Sequence, residues 1–195
     1  MPFVQLAVLV SGSGTLLEAM IEASLDISLV VSDRPCRGLE VAATHGVDVA
    51  CVERLDFSPS FDRDHYASRL CEVLTGRHID VVAMAGFGTI LGRPIFEAFE
   101  NQIINTHPAL LPAFPGWHGV RDALDYGVKV TGCTIHVATP TVDDGPILAQ
   151  EAVSVLEEDT EHSLHERIKV VERRLYVETI EAIYDRGFVL KESKS

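Results

Sequence analysis

Short apolar runs alternate along the first half of the chain with stretches whose apolar positions recur at helical spacing. Leu6 to Val10 is an unbroken apolar run that ends at Ser11-Gly12-Ser13-Gly14, and Thr15 to Ala23 follows with a helical pattern. Ile27 to Val31 and Val47 to Val52 repeat the strand pattern, separated by a helix from Leu39 to Thr44 that His45-Gly46 closes. Ser60 precedes Phe61 to Leu74 in the manner of a helix N-cap. Val81 to Ala85 and Ile103 to Thr106 are further strands, with a helix around Ile95 to Phe99 between them. Strands and helices in this alternation predict right-handed crossovers and an α/β fold, a mainly parallel twisted sheet flanked by helices.

After Pro115 the pattern changes. Val120 to Tyr126 reads as a short helix closed by Gly127, Val130 to Val137 alternates as a strand, and Ile147 to Val153 is another strand. Thr160 opens a long helix with Glu161 in its first turn, and Leu164, Ile168, Val171 and Leu175 fall on one face. Lys191 to Ser195 reads as a frayed tail. There is no repeat, low-complexity segment or linker, so residues 1–195 are expected to form a single domain, a length that supports a substantial core.

Charge and cysteine content narrow the classes of function. The formal net charge of −13 argues against a broad nucleic-acid face, which needs basic groups to displace phosphate counterions, but leaves room for a local anion pocket. Cys36, Cys51, Cys71 and Cys133 are widely spaced and form no C-x-x-C pair, which suits free thiols in a reducing compartment and gives no ground for a metal. No apolar run approaches the roughly 20 residues of a membrane span, and the start of the chain lacks the basic segment of a signal peptide. A cytoplasmic protein with no membrane partner is expected.

In sheets of this kind ligands bind beyond the carboxyl ends of the strands. The segments there are Ser11 to Thr15, Gly86 to Thr89 and Asn105 to Pro108. The first fits either a plain strand-to-helix turn or a helix N-terminus that holds a phosphate. It is not a dinucleotide fingerprint, because Leu17 stands at the third glycine position, and the chain has no Gly-Lys pair for a P-loop. Asn105 and His107, two residues apart, can reach one pocket. A histidine carries a proton near neutral pH, and an asparagine donates to an oxyanion while staying neutral. Val142-Asp143-Asp144-Gly145-Pro146 is a turn whose composition serves backbone geometry, or one that sets the Asp143 carboxylate against His107.

Together these segments carry a specific resemblance. Asn105-x-His107-Pro108 with its leucine–proline loop, followed by His136 and then Asp143-x-Gly145-Pro146-Ile147, resembles the folate-dependent formyltransferases. The Ser11 to Thr15 turn resembles the phosphate loop of their glycinamide ribonucleotide branch, and Ala85-Gly86-Phe87 resembles their folate-site strand end. The similarity runs from about Leu6 to Gly187. It implies a Rossmann-like formyltransferase fold in which formyl passes from 10-formyltetrahydrofolate to the amine of 5'-phosphoribosylglycinamide (GAR), without a metal.

The resemblance implies Asn105, His107 and Asp143 as the catalytic set. It places the ribonucleotide on Ser13, Gly14, Thr15, Leu16, Lys169 and Glu172. It places the folate on Arg63, Gly88, Thr89, Ile90, Leu91, Asn105 and the run Thr139, Pro140, Thr141, Val142 and Asp143, with Arg63 toward the acidic tail. Residues up to about 100 then serve mostly the ribonucleotide, and 101–190 catalysis and folate. The chain departs from the family pattern at Leu16, where asparagine is usual, at Thr89, where arginine is common, and at Asp144, where many members have glycine. His118 is either a substrate-loop contact or an exposed residue, and His136 either faces the reaction or fills the core; His162 and His165 are too isolated for a metal site. Some relatives pair, so a homodimer is a further expectation. The nearest rivals are a formyltetrahydrofolate hydrolase and a methionyl-tRNA formyltransferase. Each carries an additional domain for which this chain is expected to have no room, and the ribonucleotide residues favour the glycinamide branch. A nucleotide-binding module without chemistry is a rival of another class, and Leu17 counts against it.

Overall fold

All five residues of the first apolar run are fully buried, and the sheet is built outward from them. The computed structural model describes residues 4–190; the tail expected at 191–195 lies outside the described residues. The elements are β1 (Leu6–Val10), α1 (Thr15–Glu22), β2 (Ile27–Ser32), α2 (Arg37–Thr44), β3 (Val49–Cys51), α3 (Arg63–Gly76), β4 (Val81–Met84), α4 (Arg93–Ala98), β5 (Ile103–His107), α5 (Gly119–Tyr126), β6 (Val130–Val137), β7 (Ile147–Ser154) and α6 (Glu161–Arg186).

The strands form one seven-stranded sheet in the order β3-β2-β1-β4-β5-β6-β7. Pairings from β3 through β5 are parallel, and β5-β6-β7 are antiparallel, so the parallel majority expected from the sequence is present. The chain leaves β1 for β2 on one side and later returns through β4 on the other. That reversal opens a crevice at the carboxyl ends of β1 and β4, the usual ligand site of such sheets.

Strand alternation splits the core into two layers. Leu6, Val8 and Val10 pack on one face with Leu17 and Met20 of α1 and with Leu164, Ile168, Tyr176 and Ile180 of α6. Ala7 and Leu9 pack on the other with Tyr66, Leu70 and Leu74 of α3 and Ile95 of α4. The Tyr176 hydroxyl donates to the carbonyls of Met84 (3.0 Å) and Ile104 (3.1 Å), which ties α6 to the two strands that deliver the site. Among the described residues no helix is long and apolar enough to cross a membrane.

Two local expectations change. Asp62, not Ser60, caps α3: its carboxylate accepts from the His65 N–H at 2.9 Å, while the Ser60 hydroxyl is engaged with Ser58 at 2.7 Å. β6 does not alternate in burial, because the loop after β5 covers its polar face. Thr134 donates to the Ala109 carbonyl (2.6 Å) and accepts from the Leu111 N–H (3.0 Å) and from Gln150 (2.9 Å). In the 142–146 turn Asp143 is in the left-handed region, at φ 57°. Thr160 does cap α6, in a reciprocal box with Ser163.

Candidate active site

A cleft of about 830 Å³ opens at the carboxyl ends of β1, β4 and β5. Its size is that of a small-molecule site. The turn after β1 contributes Gly12 to Leu16, the segment after β4 contributes Ala85 to Leu91, and β5 contributes Asn105 to Pro108. Thr139, Pro140, Val142 and Asp143 close it from the turn after β6, and His165, Lys169 and Glu172 reach it from α6. A second hollow, about 430 Å³, lies between residues 23–26 and the end of α6 and gathers none of the motif residues.

The glycine turn is shaped by a close approach. Gly14 sits at φ 75° as the N-cap of α1, and a Cβ there would meet Gly38 Cα at 2.8 Å. The Gly38 N–H donates to the Gly12 carbonyl at 3.0 Å, so the start of α2 braces the turn. Residues 13–15 thereby hold their N–H groups at the N-terminus of an α-helix, where anions are favoured.

Asn105, His107 and Asp143 converge. His107 is buried, with Nδ1 3.3 Å from Asp143 Oδ2 and Nε2 2.7 Å from the Phe114 carbonyl. The Phe114 carbonyl can only accept, so Nε2 donates to it, and the Nδ1 edge faces the Asp143 carboxylate. Asp143 Oδ2 also accepts the Gly116 N–H at 2.8 Å, so the loop after β5 wraps the pair from outside. Burial alone would raise the Asp143 carboxyl. His136, the Gly116 N–H and His107 outweigh it and hold the group below the usual carboxylate range. Gly145 makes this turn possible, since a Cβ there would fall 1.8 Å from the Val137 carbonyl oxygen.

On α6 the neighbouring charges separate. Lys169 pairs with Glu166 at 2.7 Å and not with Glu172. Glu172 instead accepts from the Thr106 hydroxyl at 3.0 Å. Desolvation raises the Glu172 carboxyl above its ordinary value, with Thr106 and Lys169 opposing. Burial and the nearby Lys169 ammonium lower the His165 imidazole.

A family model described as formyl transferase matches residues 4–180. The chain belongs to the formyl transferase family. The Mycobacterium tuberculosis protein named phosphoribosylglycinamide formyltransferase is 47% identical over 188 residues, 94% of this chain and 86% of that protein. The human trifunctional purine biosynthetic protein adenosine-3 is 34% identical over 186 residues, which is 92% of this chain and 18% of that protein. The crystal structure of glycinamide ribonucleotide transformylase 1 from Symbiobacterium toebii superposes with a TM-score of 0.88 at 39% identity, covering 97% of this chain and 91% of that one. The phosphoribosylglycinamide formyltransferase from Bacillus halodurans superposes at 0.87 with 36% identity, covering 97% and 100%.

Within this formyl transferase, most of the residues singled out from the sequence line the one cleft; Arg63 and Thr141 do not. Arg63 is exposed at the start of α3, and its backbone abuts Gly92, just beyond the wall residue Leu91. Thr141 is exposed, and its carbonyl accepts from Thr139 at 2.8 Å. The two halves of the chain interleave around the cleft, since Phe87 to Leu91 comes from the first half and Lys169 and Glu172 from the second. His118 is exposed and off the cleft wall. His136 is both things the sequence left open, 1% exposed and part of the site. Its Nδ1 faces the Val137 carbonyl at 3.0 Å and therefore donates. Its Nε2 lies 3.4 Å from Asn105 Nδ2 and 3.6 Å from Asp143 Oδ1. Thr106, Trp117 and His165 also line the cleft without having been singled out for it. The one available signal for Thr106 was its place between Asn105 and His107. Among the described residues no group of three potential ligands is gathered to hold a metal.

Proposed function

We propose that this chain transfers the formyl group of 10-formyltetrahydrofolate to the amine of 5'-phosphoribosylglycinamide, giving formyl-GAR and tetrahydrofolate. The observation that carries the reading is the meeting of Asn105, His107 and Asp143 in a cleft that also receives a helix N-terminus and the α6 pair Lys169 and Glu172. Ser13, Gly14, Thr15 and Lys169 take the phosphate end of the ribonucleotide, and Glu172 accepts from its hydroxyls or amine. Folate occupies the wall formed by Gly88 to Leu91 and the turn from Thr139 to Asp143, with Arg63 toward its acidic tail.

The amine nitrogen attacks the formyl carbon and forms a C–N bond while the carbonyl oxygen becomes an oxyanion. The Asn105 amide and the Nδ1 edge of His107 donate to that oxygen. Nδ1 is the available edge because its contact with Asp143, at 3.3 Å, is longer than the 2.7 Å bond that commits Nε2 to Phe114. Each such donor lowers the barrier by about 3 kcal/mol. The tetrahedral carbon then breaks its bond to folate N10. The proton released by the attacking amine passes by way of Asp143 to that leaving nitrogen.

The test is an absorbance assay for deformylated folate with GAR, water or tRNA as the acceptor. Turnover that depends on GAR is expected. Equal product release with water alone, or formylation of tRNA without GAR, rejects the assignment in favour of a hydrolase or a tRNA formyltransferase.

A further inference from the structure

Asp33 is a carboxylate with no exposed surface that lies at the end of β2, outside the catalytic set. It accepts from Arg34 twice, at 2.9 Å each, and from the Thr89 hydroxyl at 2.7 Å. Thr89 belongs to the cleft wall, yet it is 1% exposed and its hydroxyl is committed to Asp33. Beside it, Ser11 makes two further ties to the same segment: its N–H donates to the Gly86 carbonyl at 3.1 Å, and its hydroxyl accepts from the Gly88 N–H at 2.7 Å. The polar groups of Arg34, Thr89 and Ser11 overcome the desolvation of Asp33 and keep it ionised below the usual carboxylate range.

A buried charge is expensive unless it is fully partnered, and one so placed specifies geometry more than it adds stability. Here every partner leads to one stretch of backbone or to the strand end beside it. We infer that Asp33 is a positioning residue that, through Thr89 and with Ser11, fixes the backbone of Gly86 to Leu91 as the folate-facing wall. The inference rests on the folate reading of that wall. Its physical content is that the wall recognises its ligand through backbone groups and apolar surface, so a small shift of the segment costs folate affinity while the ribonucleotide residues of α6 stay in place. Thr89 then acts as an internal anchor and not as a ligand contact.

The experiment is calorimetric titration of the full chain with 10-formylfolic acid and, separately, with GAR, in wild-type, Thr89→Val, Thr89→Ser and Asp33→Asn. Thr89→Val keeps the side-chain shape and removes the donor. The expected result is folate binding weakened about tenfold, the scale of one hydrogen bond to a charged group, with GAR affinity held within about twofold. Thr89→Ser restores folate binding. Asp33→Asn weakens folate in the same direction. Thr89→Val with wild-type folate affinity and only a lower melting temperature overturns the inference, as does equal weakening of both ligands. A wild-type protein that binds GAR but no folate overturns the functional reading itself and this proposal with it.

Discussion

Replacing Asp143 by asparagine tests the mechanism at its histidine–carboxylate contact. The carboxylate and His107 are 6% and 5% exposed and 3.3 Å apart, so little solvent screens them. At that 3.3 Å separation and an effective dielectric of ~20, the attraction of a unit-charge pair is about 5 kcal/mol. Relaxation of the side chains returns part of this, so we expect the barrier to rise by about 3–4 kcal/mol, a fall in kcat of roughly 100- to 1000-fold. The substitution preserves shape, and the amide oxygen can still accept the Gly116 N–H, so the loop keeps its tie. Steady-state kinetics with both substrates, beside a thermal melt, measure the effect, and KM for GAR should stay within about threefold. A folded Asp143→Asn enzyme with kcat within about tenfold of wild-type would refute the role assigned to the pair.

Lys169→Ala should raise KM for GAR by about tenfold and leave KM for the folate unchanged; weakening of the folate alone would exchange the two halves of the cleft. Trp117 is the sole tryptophan, 76% exposed on the cleft wall. Its emission should therefore shift on titration with formyl-folate, and an unchanged spectrum at saturation would remove that wall from the binding surface. Asp159 is held at about 2 by hydrogen bonds from Arg167 and the Leu156 N–H. A depressed carboxyl contributes stability above its ordinary value near 3.8, and loses that contribution as pH falls through about 2. Denaturant unfolding between those limits should accordingly be less pH-dependent in Asp159→Asn, and parallel curves would contradict the assignment.

The arrangement around His107 ties the loop after β5 to the candidate site. Phe114 and Gly116 belong to that loop, and each bonds one member of the histidine–carboxylate pair. The loop is in turn pinned to β6 and β7 through Thr134 and Gln150, whose amide donates to the Leu111 carbonyl at 2.8 Å. His136 completes the set from β6. Its Nε2 alone faces both groups, 3.4 Å from the Asn105 amide nitrogen and 3.6 Å from Asp143 Oδ1.

Periodicity determined the elements because each buries a continuous apolar run or stripe, and burial is legible residue by residue. Leu6–Val10 and the Leu164, Ile168, Leu175 face of α6 are examples. The spaced motifs at Asn105 to Pro108 and Asp143 to Ile147 carried the resemblance to the formyltransferases, and both lie at element ends where side chains are free to point into a crevice. Partnership was another matter. Lys169 and Glu172 sit at helical spacing, yet they part to Glu166 and Thr106, since the choice depends on which strand α6 crosses. Asp33 was not among the residues the sequence singled out, and only the segment after β4 brings Thr89, fifty-six residues on, to within 2.7 Å of it. Contacts of that kind are long-range and polar. Neither charge nor spacing along a chain encodes them, and only the crossing of strands and helices brings the groups within hydrogen-bond reach.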